Sequence, residues 1–183
     1  MKNSNPEEWF PIVDEDGNTI DKASRTVCHD GKSKLLHPVV HLHLFNSAGE
    51  LFLQKRAMTK DIEPGRWDTS VGGHISLGET VEDALAREAK EELGLTDFEP
   101  GLLVRYIWES PRERELVNSF STTTDEVPII NRDEIDEGKF WPMQEIKDNL
   151  GKDLFTPNFE QEFDLFISFA PPKEMNQRKR GRK

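Results

Sequence analysis

The sequence predicts an α/β sandwich of the α+β kind and excludes a parallel doubly wound sheet. Three observations carry this. Several short apolar runs are bounded by Gly, Asp and Asn turn signals and read as strands. Two stretches have helical spacing, Thr80–Leu93 and Pro157–Phe169. The strands do not alternate one for one with helices, as a doubly wound sheet requires.

The elements follow in order. Phe10–Val13 and the residues from Thr19 onward flank Asp14–Asn18, an Asp-Gly turn, and predict a β-hairpin. Residues 24–38 are polar, contain Gly31 and Pro38, and read as loop. Val39–Asn46 and Leu51–Arg56 form a second hairpin around Ser47–Glu50. Residues 57–68, with Pro64 and Gly65, read as a long loop. Thr80–Leu93 is a helix with Thr80 as N-cap, Asp83 three residues on, and Gly94 at the left-handed C-terminal position. Leu102–Trp108 and Leu116–Thr123 read as strands joined by the charged turn Glu109–Glu115. Lys139–Trp141 is a short strand and Glu145–Asn149 a helical turn. In Pro157–Phe169, Phe159, Phe163, Phe166 and Ile167 recur at helical spacing.

The 183 residues suit one domain with terminal extensions. Residues 1–24 read as an N-terminal hairpin extension, 25–170 as the main domain and 171–183 as a basic, disordered tail. The hairpin Phe10–Ala23 is a candidate for pairing with a second subunit in a homodimer. Charged residues make up 32% and hydrophobic residues 34%, as expected of a soluble globular chain. No apolar run is long enough to span a bilayer, so no membrane partner is expected. The start, MKNSNPEEWF, lacks the apolar segment of a signal peptide, and the single cysteine, Cys28, forms no intrachain disulfide. These features predict a cytoplasmic protein. A net charge of −11, from 35 acids and 24 bases, argues against general nucleic-acid binding.

The chemistry concentrates in the helix. With Val81 at zero and about 100° per residue, Leu85 and Ala89 mark an apolar sector. Glu88 falls at roughly 340° and Glu92 at roughly 20°, inside that sector, while Glu91 lies on its border at about 280°. Two carboxylates a turn apart on a buried face need compensation. A divalent cation with oxygen preference, Mg²⁺ or Mn²⁺, supplies it. Pairing with Lys or Arg is the alternative.

The whole stretch, GHISLGETVEDALAREAKEELGL from Gly73 to Leu95, resembles the Nudix box, G-x5-E-x7-R-E-U-x-E-E-x-G-U with U aliphatic. Gly73, Glu79, Arg87, Glu88, Glu91, Glu92 and Gly94 match its fixed positions. The resemblance implies an α/β/α sandwich with a mixed β-sheet, and Mg²⁺ or Mn²⁺ held by Glu88, Glu91 and Glu92. It implies Glu79 and Arg87 as supports, Glu91 as the base, and a small-molecule diphosphate as substrate. Attack on phosphorus by metal-activated water is the implied reaction. Lys55, Arg56 and Arg66 are candidate phosphate ligands, with Gly72, Gly73 and His74 lining the substrate. Trp67 and Trp108 either stack a base or belong to the core.

Upstream, HLFNSAGELFLQKRAMTKDIEPGRWDTSVGGHISLGE is similar to the Nudix subgroup akin to isopentenyl-diphosphate isomerase. That likeness implies a further metal site from His37, His74, Glu113 and Glu115, with His29 about one residue from where a third histidine falls. The isomerases carry a catalytic cysteine just before their Gly-His pair, where this chain has Gly72. Hydrolysis is therefore the expected activity; isomerisation and a non-catalytic ligand-binding module are the alternatives. His41 and His43 share a strand face, either as a metal pair or as satisfied strand histidines.

Overall fold

A computed structural model describes residues 7–165. The N-terminal hairpin is β1 (Trp9–Val13) and β2 (Thr19–Ser24). Its turn is closed by Asp14, whose side chain accepts the Asn18 amide at 2.8 Å, with Gly17 at φ +88°. The hairpin does not stand free. Leu77 N donates to Trp9 O at 3.1 Å, which ties β1 to the loop ahead of the main helix.

A seven-stranded mixed sheet forms the body. Its strands are β3 (Leu36–Phe45), β4 (Leu51–Arg56), β5 (Trp67–Asp68), β6 (Val71–His74), β7 (Gly101–Glu109), β8 (Arg114–Thr123) and β9 (Ile135–Trp141). β3 pairs parallel with β8, and the other named strand pairs are antiparallel. β3 and β4 share a single register pair, Phe45–Leu51, before they diverge. β6 then takes the vacated edge of β3, from Val39–His74 to Leu42–Val71. The divergence opens the sheet beside Gly72 and Gly73, where the candidate site lies.

The helices are α1 (Arg25–Cys28), α2 (Val81–Leu93), α3 (Met143–Asn149) and α4 (Pro157–Leu165). α2 is capped as its sequence predicts: Thr80 Oγ1 accepts the Asp83 amide at 3.1 Å, and Gly94 is left-handed at φ +65°. Its apolar face, Ala84, Leu85, Ala89 and Leu93, packs on Val40, Leu42 and Leu44 of β3. A second core on the other side joins Phe45, Leu51 and Leu53 to Trp67, Trp141 and the α4 residues Phe159 and Phe163. The result is the predicted α/β/α sandwich. Both faces of β3 are buried along its whole length.

Several sequence expectations change. Residues 24–38 hold the helical turn α1 and the first residues of β3. Pro38 sits within β3 yet accepts a hydrogen bond from Ile75 N through its carbonyl. The loop 57–68 ends in β5, and VGGH, given no element from the sequence, is β6. Glycine weakens a strand locally; pairing against buried β3 overrides that. The turn between β7 and β8 is shorter than predicted, because Arg114 and Glu115 already belong to β8. β9 starts at Ile135, not Lys139. The tail 171–183 and the last residues of the predicted C-terminal helix lie outside the described residues. No helix among the described residues is long and apolar enough to cross a membrane.

Candidate functional site

The site begins where α2 meets β6. Glu92 is buried and accepts from Gln54 Nε2 at 3.0 Å and Gly72 N at 3.2 Å. Burial pushes its carboxyl up to about 8, and the neighbouring charge of Glu88 adds to the shift. Burial likewise raises Glu88, against the pull of Arg87. Gly73 lies against Glu88 so closely that a Cβ there would fall 2.0 Å from Glu88 Cδ. This position admits only glycine while Glu88 keeps its place.

Arg87 braces the group. It donates to Glu79 through Nε at 2.7 Å and through a terminal nitrogen at 2.9 Å, to Glu88 Oε1 at 2.7 Å and to the His74 carbonyl at 3.0 Å. Glu79 also accepts the Ser76 amide at 2.9 Å, and its hydrogen bonds from Arg87 hold its carboxyl below the ordinary range. Glu91 reaches Arg87 at 3.4 Å but points outward, with its side chain 57% exposed. A buried and a half-buried carboxylate with raised proton affinity, braced by a neighbouring guanidinium, make an oxygen donor set for a hard divalent cation.

A second donor set stands on the other side of β6. Ligand atoms of His29, His37, His74 and Glu113 all lie within 4.8 Å of one another. His29 Nε2 is 3.1 Å from His74 Nε2 and 3.0 Å from Glu113 Oε2. Among the described residues, His37 Nε2 is enclosed without a hydrogen-bond partner, and Glu113 Oε2, close as it is to His29, has none in hydrogen-bond geometry. Burial lowers His29 to about 4, holds His74 well below its ordinary value and lowers His37. Neutral imidazoles whose lone pairs converge beside a carboxylate fit a cation of softer preference than Mg²⁺, such as Zn²⁺ or Mn²⁺. Phe10 of β1 closes one side, stacked on His74 at 4.4 Å between ring centroids. Glu115 is not in this set. It is buried next to Glu113, is pushed up to about 8 by burial, and meets Asn158 Nδ2 at 3.4 Å.

The predicted phosphate ligands are engaged elsewhere. Arg66 pairs with Glu63 at 2.8 Å and Asp153 at 3.2 Å. Arg56 donates to Ile62 O and Asp68 Oδ2, each at 3.0 Å. Lys55 alternates with Gln54 along β4 and so leaves by the face opposite to Glu92. Trp67 belongs to the core, at 5.0 Å from Trp141 in an edge-on contact. Trp108 lies on β7, in register with Glu115.

Sequence reasoning missed three participants. Glu134, just ahead of β9, adds its charge to both Glu88 and Glu92 and pairs with Lys60 at 2.8 Å. Gln54 holds Glu92. Glu162 of α4 is fully buried and accepts from His41 Nδ1 at 2.8 Å and His43 Nε2 at 2.9 Å, while the Tyr106 hydroxyl donates to it at 3.2 Å. Each strand histidine is thus held by the Glu162 carboxylate through one ring nitrogen. Burial opposes charge on His41, but Glu162 outweighs it and lifts the imidazole to about 9. A lone Glu in an aromatic helix carries no signal for this role until the helix is docked.

The family model of the NUDIX domain matches residues 35–159. The chain is 33% identical over 157 residues to an isopentenyl-diphosphate Delta-isomerase of Streptomyces griseus, covering 81% of this chain and 78% of that protein. It is 39% identical over 97 residues to an uncharacterised Nudix hydrolase of Pseudomonas aeruginosa, covering 53% of this chain and 57% of that protein. It is 40% identical over 89 residues to an isopentenyl-diphosphate Delta-isomerase of Leifsonia xyli, covering 49% and 48%. The match thus spans about half the length of each of the latter two. Among solved structures, DR0079 of Deinococcus radiodurans superposes with a TM-score of 0.72 at 24% identity, covering 84% of this chain and 96% of that one. That likeness is one of fold.

Proposed function

The chain belongs to the Nudix family, and we propose that it cleaves the diphosphate linkage of a nucleoside diphosphate derivative or a related organic diphosphate. One observation carries the reading: Glu92 lies buried and Glu88 half-buried against the glycine backbone of β6, with Arg87 and Glu79 bracing them. Glu88, Glu91 and Glu92 would hold Mg²⁺ or Mn²⁺. When bound there, such an ion would supply charge to neutralise phosphate oxygens and to lower the pKa of water. The chain's own groups do the rest. Arg87 fixes Glu88, Gly72 and Gln54 fix Glu92, and exposed Glu91 is the proposed acceptor of the water proton.

The test is a panel of diphosphates with Mg²⁺ or Mn²⁺, read as free phosphate after a coupled phosphatase. Metal-dependent turnover is expected. Glu88→Gln and Glu92→Gln should each lower kcat/KM at least about 100-fold. Absence of turnover with every divalent ion tried sinks the reading.

The cluster of His29, His37, His74 and Glu113 favours a second reading, isomerisation of isopentenyl diphosphate, the activity named in two of the relatives. Gly72 opposes it, because no side chain stands there to exchange a proton. The backbone does not forbid one: a Cβ on Gly72 would meet Thr69 Cγ2 at 3.4 Å and His41 Cδ2 at 3.6 Å, ordinary contacts. Conversion of isopentenyl to dimethylallyl diphosphate by the unaltered protein would establish this activity.

A further inference from the structure

The polar cluster between β3 and α4 is not used by the hydrolysis described above. Strand alternation puts His41 and His43 on one face, and α4 lays Glu162 across both. His43 is fully engaged, because its Nδ1 also meets Thr69 Oγ1 at 3.2 Å. His41 is not. Its Nε2 makes no hydrogen bond among the described residues and lies 3.8 Å from where a Cβ on Gly72 would stand. Gly72 has no Cβ, so no side chain of that residue covers the nitrogen. The amide of the same glycine donates to Glu92 at 3.2 Å. The free imidazole nitrogen and the α2 carboxylate thus border the same residue, Gly72.

We infer that His41, oriented by Glu162, reads a hydroxyl on the organic group attached to the substrate's diphosphate. This rests on the hydrolase reading of the α2 site. A hydroxyl suits Nε2 in either protonation state: its O–H donates to the neutral ring, and its oxygen accepts from the imidazolium. A hydrocarbon would strip water from the nitrogen and leave it unpaired. His41 thus selects a sugar-like or nucleoside-like group over an isoprenoid-like one. Glu162 is a positioning residue, acting through His41.

The test compares ADP-ribose, rich in hydroxyls, with geranyl diphosphate, using the full chain and Mg²⁺. The unaltered protein should favour ADP-ribose in kcat/KM by at least about tenfold. His41→Leu should lower kcat/KM for ADP-ribose by about ten- to a hundredfold, mainly through KM, without lowering that for geranyl diphosphate. Glu162→Gln should shift the ratio in the same direction. His43→Gln should lower the melting temperature yet leave the ratio of the two substrates unchanged. Preference for geranyl diphosphate, or equal losses on both substrates in His41→Leu, overturns the inference. Should His41→Leu fail to fold, ¹⁵N NMR of the unaltered protein decides: methylene-bridged ADP-ribose with Mg²⁺ must shift the His41 Nε2 resonance, and no shift overturns it. If neither diphosphate is hydrolysed, the hydrolase reading fails, and calorimetry with methylene-bridged analogues of both still tests the selection. Tighter binding of the hydroxylated analogue upholds it; equal or weaker binding overturns it.

Discussion

Glu92 shows how one residue can be costly to the fold and necessary to the site. Burial raises its pKa from 4.5 to about 8, so the folded state binds its proton more tightly than the unfolded state does. The stability linked to this proton is fully present below the unfolded value and is lost as pH rises through the folded one. Glu115, also raised to about 8, acts with the same sign. In a chelator, the contribution of Glu92 and Glu115 to the melting temperature should therefore fall as pH rises from about 4.5 to about 8, while His29, His37 and His74, lowered by burial, contribute with the opposite sign over the lower part of that range. Mg²⁺ or Mn²⁺ should raise the melting temperature most at the alkaline end, where the carboxylates are ionised. Glu92→Gln should flatten part of the fall and weaken the response to metal. A chelator profile that is unchanged by Glu92→Gln would refute the assignment. Gly73 is the partner of this arrangement, since the absence of its Cβ lets Glu88 lie against the strand.

At the scale of elements, α2 was legible from spacing because local and tertiary demands agree. Thr80, Asp83 and Gly94 cap it, Leu85 and Ala89 bury it, and Glu92 is buried among the apolar positions as the projection predicts, with Glu88 half-buried a turn away. Thr80→Ala should cost about 1 kcal/mol in chemical denaturation, through loss of the bond to the Asp83 amide. Activity per folded molecule should hardly change, because the cap lies at the far end from Glu92. β6 was illegible for the opposite reason. Val71-Gly-Gly-His74 has no strand period, and only the edge left free by the divergence of β3 and β4 makes it a strand. α1, of four residues, and β5, of two, likewise depend on their docking.

On the scale of the whole molecule, the N-terminal hairpin becomes part of the histidine site. Phe10 is 1% exposed and stacks on His74, while Ile12, Ala23 and Cys28 complete its core. Phe10→Ala should destabilise the protein by about 3–5 kcal/mol. It should also weaken the binding of Zn²⁺ or Mn²⁺ at His29, His37, His74 and Glu113, measured by calorimetry at a temperature where the variant is folded. Unchanged affinity in a folded variant would show that the stacked ring is a bystander.

The sequence by itself determined the sandwich, the capped helix and the register of Glu79, Arg87, Glu88 and Glu92, since these depend on periodicity and on fixed spacing within one short segment. It also marked Gly72 as the point of difference from the isomerases. Only the tertiary structure decided which charges meet. It committed Arg66 to Glu63 and Asp153, turned Lys55 away, brought in Glu134 and Gln54, and set Glu162 against His41 and His43. It also joined His29 to His37, His74 and Glu113 and left Glu115 outside the set. The reason is physical. A carboxylate's partner is whatever lies within a few ångströms after the sheet has diverged and the helices have docked, and separation along the chain does not record that distance.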